Sequence, residues 1–470
     1  MKKILLITVL LAAVAGAVFA GVTFWLLREP AAEWTTRSPR ALREFTQGLE
    51  DQAKIYRMDA VHHFEEALEL DPSFVMAKLQ LAFLYSSESE RRRMLDELRE
   101  VDPGQLNPRE RFLLAYRLAR ADGRDGDAQA SLDAFLEHHP SDPYGIRVQC
   151  ALDWEAQEWD AAEGCYNRLL ELHPTWVEAR NHLGYIAMAR GRFDEAEERF
   201  RTYRYLAPDQ ANPYHSLSEL FTVLGRYEEA EEDLAEVIRI KPDFCPAYTQ
   251  LAEVGFLSGR LDLAERAISD LESIEACDLM KERGVACSMR AWVLYARGDA
   301  EGAWKQLEGG CLERRQGFDL LGHRIAVMTG RSEEATRMEA VLSEYRDEVE
   351  AAGRPVHAKF LAALLAHMQG IRALAAGDLH QAVERLNEAD AKLGYWGGER
   401  ASIKLFNRLN LLRALELLGR VPQAEALRRQ IDEVNPRLVD AFPLPDVDAL
   451  RRVGAAGLPP SFPLRDERLQ

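Results

Sequence analysis

The stretch LGYIAMARGRFDEAEERF, residues 183–200, decides the fold. Alone, its Gly-Arg, its acidic run and its small residues could mark a site. Two later stretches show otherwise. LSELFTVLGRYEEAEEDL starts at Leu217 and LAEVGFLSGRLDLAERAI at Leu251, successive steps of 34 residues. Pro140, Pro174, Pro208 and Pro242 keep the same step. A fixed period of this length marks stacked helical pairs.

The spacing inside the unit says how a pair is built. Leu183, Gly184 and Ala187 share one face of a first helix. Gly191 lets the chain turn out of it. Ala196, Phe200 and Tyr203 line one face of a second helix. The small Gly184 and Ala196 allow two antiparallel helices to approach closely, and Phe200 fills the space toward the neighbour. Pro208 stops the second helix, having no N–H to donate. One such pair cannot bury its apolar face alone, so neighbours must stack.

These residues resemble the tetratricopeptide repeat family. Leu183, Gly184, Gly191, Ala196, Phe200 and Pro208 match its favoured positions. Leu217, Gly225, Ala230, Leu234 and Pro242 match in the next unit, with Ser218 in place of glycine. Gly48, Ala60, Phe64, Ala67 and Pro72 repeat the spacing near the start. Gly259/Ala264, Gly298/Ala303, Gly330/Ala335, Gly377/Ala382 and Gly419/Ala424 keep the Gly-to-Ala step later on. The resemblance implies an all-α, right-handed superhelical solenoid of roughly ten or eleven antiparallel helix pairs, strongest at 143–276 and spanning 41–440.

It also implies a concave groove lined by the first helices and contacting a protein or peptide. The family's contact positions fall on Arg147, Trp154, Asn181, Tyr185, Met188, Asn212, His215, Glu219, Glu253, Phe256, Trp292 and Tyr295. Tyr185 and Met188 are expected to face away from the core. Asn181 lacks the lysine of the family's carboxylate clamp. LNPRERFLLAYRLARADGRDGDAQASLDAFLEHHPSDP is similar to repeat modules of bacterial signalling proteins. That likeness implies an alternative role, the sensor or regulatory arm of a membrane signalling system.

The 470 residues carry a formal charge of −18, which excludes a nucleic-acid partner that needs a basic face. After Lys2 and Lys3, residues 4–27 carry no charge, enough to span a bilayer. The expected order is a cytoplasmic stub 1–3, an anchor 4–27, a linker 28–40, the solenoid, and a Pro-rich tail 441–470 whose Phe442 and Leu444 cap the solenoid. The lysines would stay inside and the solenoid would face the periplasm. The rival is a signal peptide cleaved near Ala20. Ala12, Gly16 and Ala20 offer a small-residue dimer face.

Six cysteines occur without a CxxC. In an exported chain Cys277 and Cys287 are the candidate pair, with free helical thiols as the other reading. The eleven histidines include the pairs His62-His63 and His138-His139, neither in a zinc-ligand spacing. The acidic run 227–236 reads as a solvated helix surface. No catalytic constellation, cofactor motif or metal motif stands out, so a membrane-anchored scaffold or adaptor, not an enzyme, is expected.

Overall fold

A computed structural model describes residues 33–85, 87–277, 284–311, 319–395 and 399–438. The anchor 4–27, its dimer face at Ala12, Gly16 and Ala20, and the tail 441–470 lie outside the described residues. Among the described residues there are 22 α-helices and no strand, and no helix is long and apolar enough to cross a membrane.

The chain divides into two compact units. Unit 1 runs to His138, apart from residues 53–56. It holds α1 (Pro39–Ala53), α2 (Arg57–Leu70), α3 (Val75–Leu84), α4 (Glu88–Arg99), α5 (Pro108–Ala121) and α6 (Asp125–His138). The expected linker is partly absorbed here. Trp34 is buried against Phe45, and Thr36 donates to Asp71 at 2.6 Å.

Unit 2 holds the rest of the helices. The first eight are α7 (Pro143–Glu155), α8 (Trp159–Leu172), α9 (Glu178–Ala189), α10 (Phe193–Leu206), α11 (Ala211–Val223), α12 (Tyr227–Ile240), α13 (Cys245–Leu257) and α14 (Leu261–Ser273). Then come α15 (Val285–Ala296), α16 (Ala300–Gln306), α17 (Leu320–Met328), α18 (Ser332–Ala351), α19 (Pro355–Ala376), α20 (Leu379–Lys392), α21 (Glu399–Leu417) and α22 (Val421–Val434). Consecutive helices pack as pairs, and one apolar cluster runs from Ala187 to Leu438.

The opening stretch is α9, a turn and α10. A Cβ on Gly184 would lie 2.3 Å from the Phe200 ring, so only glycine fits that crossing. Gly191 turns the chain at φ 72. The arginine after the turn has a job the sequence did not reveal. Arg192 reaches back to Glu163 at 2.8 Å, Arg226 to Glu197 at 2.5 Å, Arg260 to Glu231 at 2.5 Å and Arg331 to Glu301 at 2.8 Å. Each bridges two successive repeats. The run 227–236 is therefore corrected: Glu229 pairs with Arg226, Glu231 with Arg260 and buried Asp233 with Arg204. It is half of an ion-pair ladder, because a second helix must present carboxylates where the next repeat presents its turn arginine.

Two turns break the glycine rule. At the position equivalent to Gly191, Gln157 has φ 58 and Ile55 has φ 65. A left-handed conformation costs an L-residue on the order of 1–2 kcal/mol, and a β-branched residue is an outlier there. Ile55 is also half exposed, so little packing is lost with its side chain. Ile55→Gly is expected to raise stability by about 1 kcal/mol, after the greater freedom of an unfolded glycine is deducted. Urea unfolding checks this; an unchanged or lower midpoint contradicts it.

The cysteine pairing is corrected as well. Cys150 bonds Cys165, Cys245 bonds Cys277 and Cys287 bonds Cys311. Cys277 and Cys287 are near in sequence, but each faces a different partner. The first bond ties α7 to α8. The second ties the start of α13 to the segment after α14. The third ties α15 to the segment after α16.

Candidate binding surface

The first helices of unit 2 are α7, α9, α11, α13 and α15, and the family's contact positions lie on them. Most are not open. Asn181 accepts from Ser216 Oγ at 2.8 Å. Tyr185 OH donates to Glu219 at 2.6 Å. Asn212 donates to Tyr203 OH at 3.3 Å, and His215 packs on Phe244. Gln250 donates to Thr222 at 2.9 Å. Except for the Asn212 bond to Tyr203 on α10, these bonds form a polar spine between successive first helices. Buried polar groups need such partners, and here the helices supply one another.

The end of the chain closes over this spine. Ser402 on α21 donates to Glu253 on α13. Tyr395, ahead of α21, packs edge-on against Phe193. Asn435, fully buried after α22, donates to Tyr227 OH at 3.2 Å. Arg437 bonds the Gly225 carbonyl at 3.3 Å and Glu228 at 2.6 Å. A Cβ on Gly225 would lie 2.2 Å from Asn435 Oδ1, so the turn glycine also makes room for the returning chain. Helix α11 is consequently buried almost all round.

This corrects several expected contacts. Met188 is fully buried and Trp292 nearly so; both are core residues rather than groove contacts. Asn181, Asn212, His215 and Glu219 are buried among neighbouring repeat helices. Tyr185 has its hydroxyl engaged on Glu219 and Ser216. Phe256 and Tyr295 are half-buried against the same core, and Glu253 is engaged by Ser402.

Arg147 and Trp154, both half-buried on α7, lie outside this closed region. Trp154 packs edge-on against Trp159 at 5.4 Å and against His182 at 5.3 Å. His182 stacks on Tyr166 at 4.6 Å. Burial, reinforced by Arg147, pushes the His182 pKa down to about 4. The imidazole is thus neutral at pH 7. The patch is an aromatic cluster with one guanidinium beside it, a composition suited to anchoring a side chain with an acidic group nearby. The family's contact positions marked Arg147 and Trp154, but not His182, Ser216, Ser402, Asn435 or Arg437. The unusual polar content of α21, with Ser402, Lys404, Asn407 and Asn410 among leucines, was the available signal for a helix buried against polar partners.

A solenoid of paired helices bound together by turn arginines is a helical-repeat binding fold. Family models for the tetratricopeptide repeat match residues 152–211 and 211–244, so this part of the chain carries tetratricopeptide repeats. Over 66 residues it is 46% identical to protein O-mannosyl-transferase Tmtc2 of Drosophila melanogaster, covering 13% of this chain and 7% of that relative. The chain thus spans a small fraction of the relative it matches. Among solved structures it is similar to the APC/C hetero-tetramer Cut9–Hcn1, at 14% identity and TM-score 0.46, covering 88% of this chain and 76% of that one. Yeast Tom70 is similar at 14% identity and TM-score 0.41, covering 84% and 99%. YrrB, described as having an unusual peptide-binding site, is similar at 16% identity and TM-score 0.29, covering 39% and 92%.

Proposed function

We propose that this chain is a membrane-anchored scaffold that holds a protein or peptide on its repeats outside the cytoplasmic membrane. The carrying observation is the patch of Arg147 and Trp154. It lies on the repeats, it is preorganised by Trp159, His182 and Tyr166, and Arg147 and Trp154 are only half-buried. Preorganised aromatic anchors are what interface hot spots are made of. The pairing of all six cysteines supports an oxidising compartment. The uncharged run 4–27 after two lysines supports the inside-to-outside orientation.

The test is photo-crosslinking in intact cells. A benzoyl-phenylalanine replaces Trp154 in the full chain, and a control replaces Tyr205, which is 83% exposed on α10. A defined protein adduct at 154 and none at 205 is expected. Identical patterns at both positions, or none at 154, overturn the binding assignment. A C-terminal alkaline phosphatase fusion tests the topology separately; an inactive fusion alongside an active cytoplasmic reporter overturns it.

A further inference from the structure

We propose that Glu44, His63 and Glu66 form a divalent transition-metal site of the Zn²⁺ class on the first helical pair of unit 1. Their ligand atoms all lie within 4.8 Å of one another. Glu44 comes from α1, while His63 and Glu66 sit three residues apart on α2, hence on one helix face. Glu44 Oε2 stands 3.0 Å from His63 Nδ1.

The far side of the ring carries the argument further. Asp51 Oδ2 lies 3.5 Å from His63 Nε2, and Asp51 is only 8% exposed. With no ion present Nδ1 donates to Glu44 Oε2; when Nδ1 turns to an ion the ring proton moves to Nε2, where the buried Asp51 carboxylate stands ready to receive it. A metal-ligating histidine is normally held this way, its other N–H donated to a carboxylate. Asp51 is itself steadied by Gln47. Two carboxylates and one neutral imidazole also balance a divalent charge. One imidazole with two carboxylates suits zinc, with ligand distances of about 2.0–2.2 Å and an open position toward water. The glutamates are 30% and 43% exposed on their side chains, so each can move the short distance needed to close on an ion.

The repeat architecture does not ask for these residues. Gly48 and Phe64 occupy the places of Gly184 and Phe200. By that register Glu44, Asp51, His63 and Glu66 are equivalent to Arg180, Ala187, Arg199 and Thr202, and one repeat later to Tyr214, Phe221, Asp233 and Glu236. Elsewhere several carboxylates of the second helices are met by arginine or lysine. Among the described residues Glu44 and Glu66 pair with histidines instead, His63 and His62.

The test uses the full chain stripped with a chelator and titrated with ZnCl₂, with CoCl₂ as spectroscopic probe. One ion per chain is expected, with cobalt absorption bands typical of a low-coordinate site. His63→Ala and Glu44→Gln should each weaken Zn²⁺ binding more than about tenfold, and Asp51→Asn by ~10–100-fold through the lost ring orientation. His138→Ala, whose ring bonds only its own helix, should leave it unchanged. Circular dichroism confirms that each variant keeps its helices. Wild-type chain that binds no zinc overturns the proposal. So does a His63→Ala variant that is folded and binds zinc as the parent does, since the ion would then be held adventitiously elsewhere.

Discussion

Reducing the three disulfides of unit 2 is expected to destabilise it more than any single substitution. The bonds close loops of 15, 32 and 24 residues. Loop-closure entropy assigns each a stabilisation of roughly 3–4 kcal/mol, and measured values for such bonds centre on about 2–4. Much of that lies in the unfolded chain, which the cross-links restrict. Two of the three bonds also brace places where the repeat is irregular. Cys245–Cys277 and Cys287–Cys311 hold segments that follow α14 and α16, where no helix-ending proline fixes the exit. The double variant Cys245→Ala/Cys277→Ala should therefore unfold at lower urea than Cys150→Ala/Cys165→Ala, whose loop is shorter and whose helices already pack as a regular pair. Urea midpoints with and without reductant decide it. Equal midpoints in oxidised and reduced protein would show that the bonds contribute nothing.

The repeat was readable because its causes are local. Gly184 against Phe200, the turn at Gly191 and the stop at Pro208 act within one unit, and a period of 34 residues repeats them. Positions that break the rule still fold alike, as Gln157 and Ile55 do in left-handed turns, because neighbouring pairs impose the turn. The groove was misread for the opposite reason. Whether Glu253 faces a partner depends on Ser402 of α21, 149 residues on, and Asn435 likewise reaches Tyr227 across 208 residues. No local pattern encodes such a return. Cysteine pairing failed in the same way: nearness in sequence suggested Cys277 with Cys287, while helix packing brings Cys245 and Cys311 to them. The Gly-Arg of the opening stretch was architecture, as read, but its arginine is a bridge between repeats, a role visible only when Glu163 stands beside it.

Acidification from pH 7 to pH 4 is expected to destabilise the folded chain through two buried histidines. His367 on α19 is 6% exposed and hydrogen-bonds Asn407 at 3.0 Å through Nδ1. Burial pushes its pKa down to about 4, against the pull of Asn407 and with help from Arg324 and His323. His182 is held at about 4 by burial and Arg147. Each has an ordinary value of 6.5, so the unfolded chain takes up protons first as pH falls. Stability is thus present above about pH 6.5 and is lost progressively down to about pH 4, at about 3 kcal/mol per histidine. His323 adds to the trend in direction, its pKa also lowered by burial despite Glu339. Asp233 opposes it. Burial lifts its pKa to about 6 in spite of Arg204, so it gains a proton in the folded state first. Two histidines against one aspartate leave a net loss of a few kcal/mol. Urea midpoints at pH 7 and pH 4 measure that loss. His367→Gln, which keeps a polar partner for Asn407 without an imidazole to charge, should shrink the difference by about half of the histidine contribution. Asp233→Asn should enlarge it. An unchanged difference in both variants would place the acid sensitivity elsewhere, in the carboxylates of the arginine ladder.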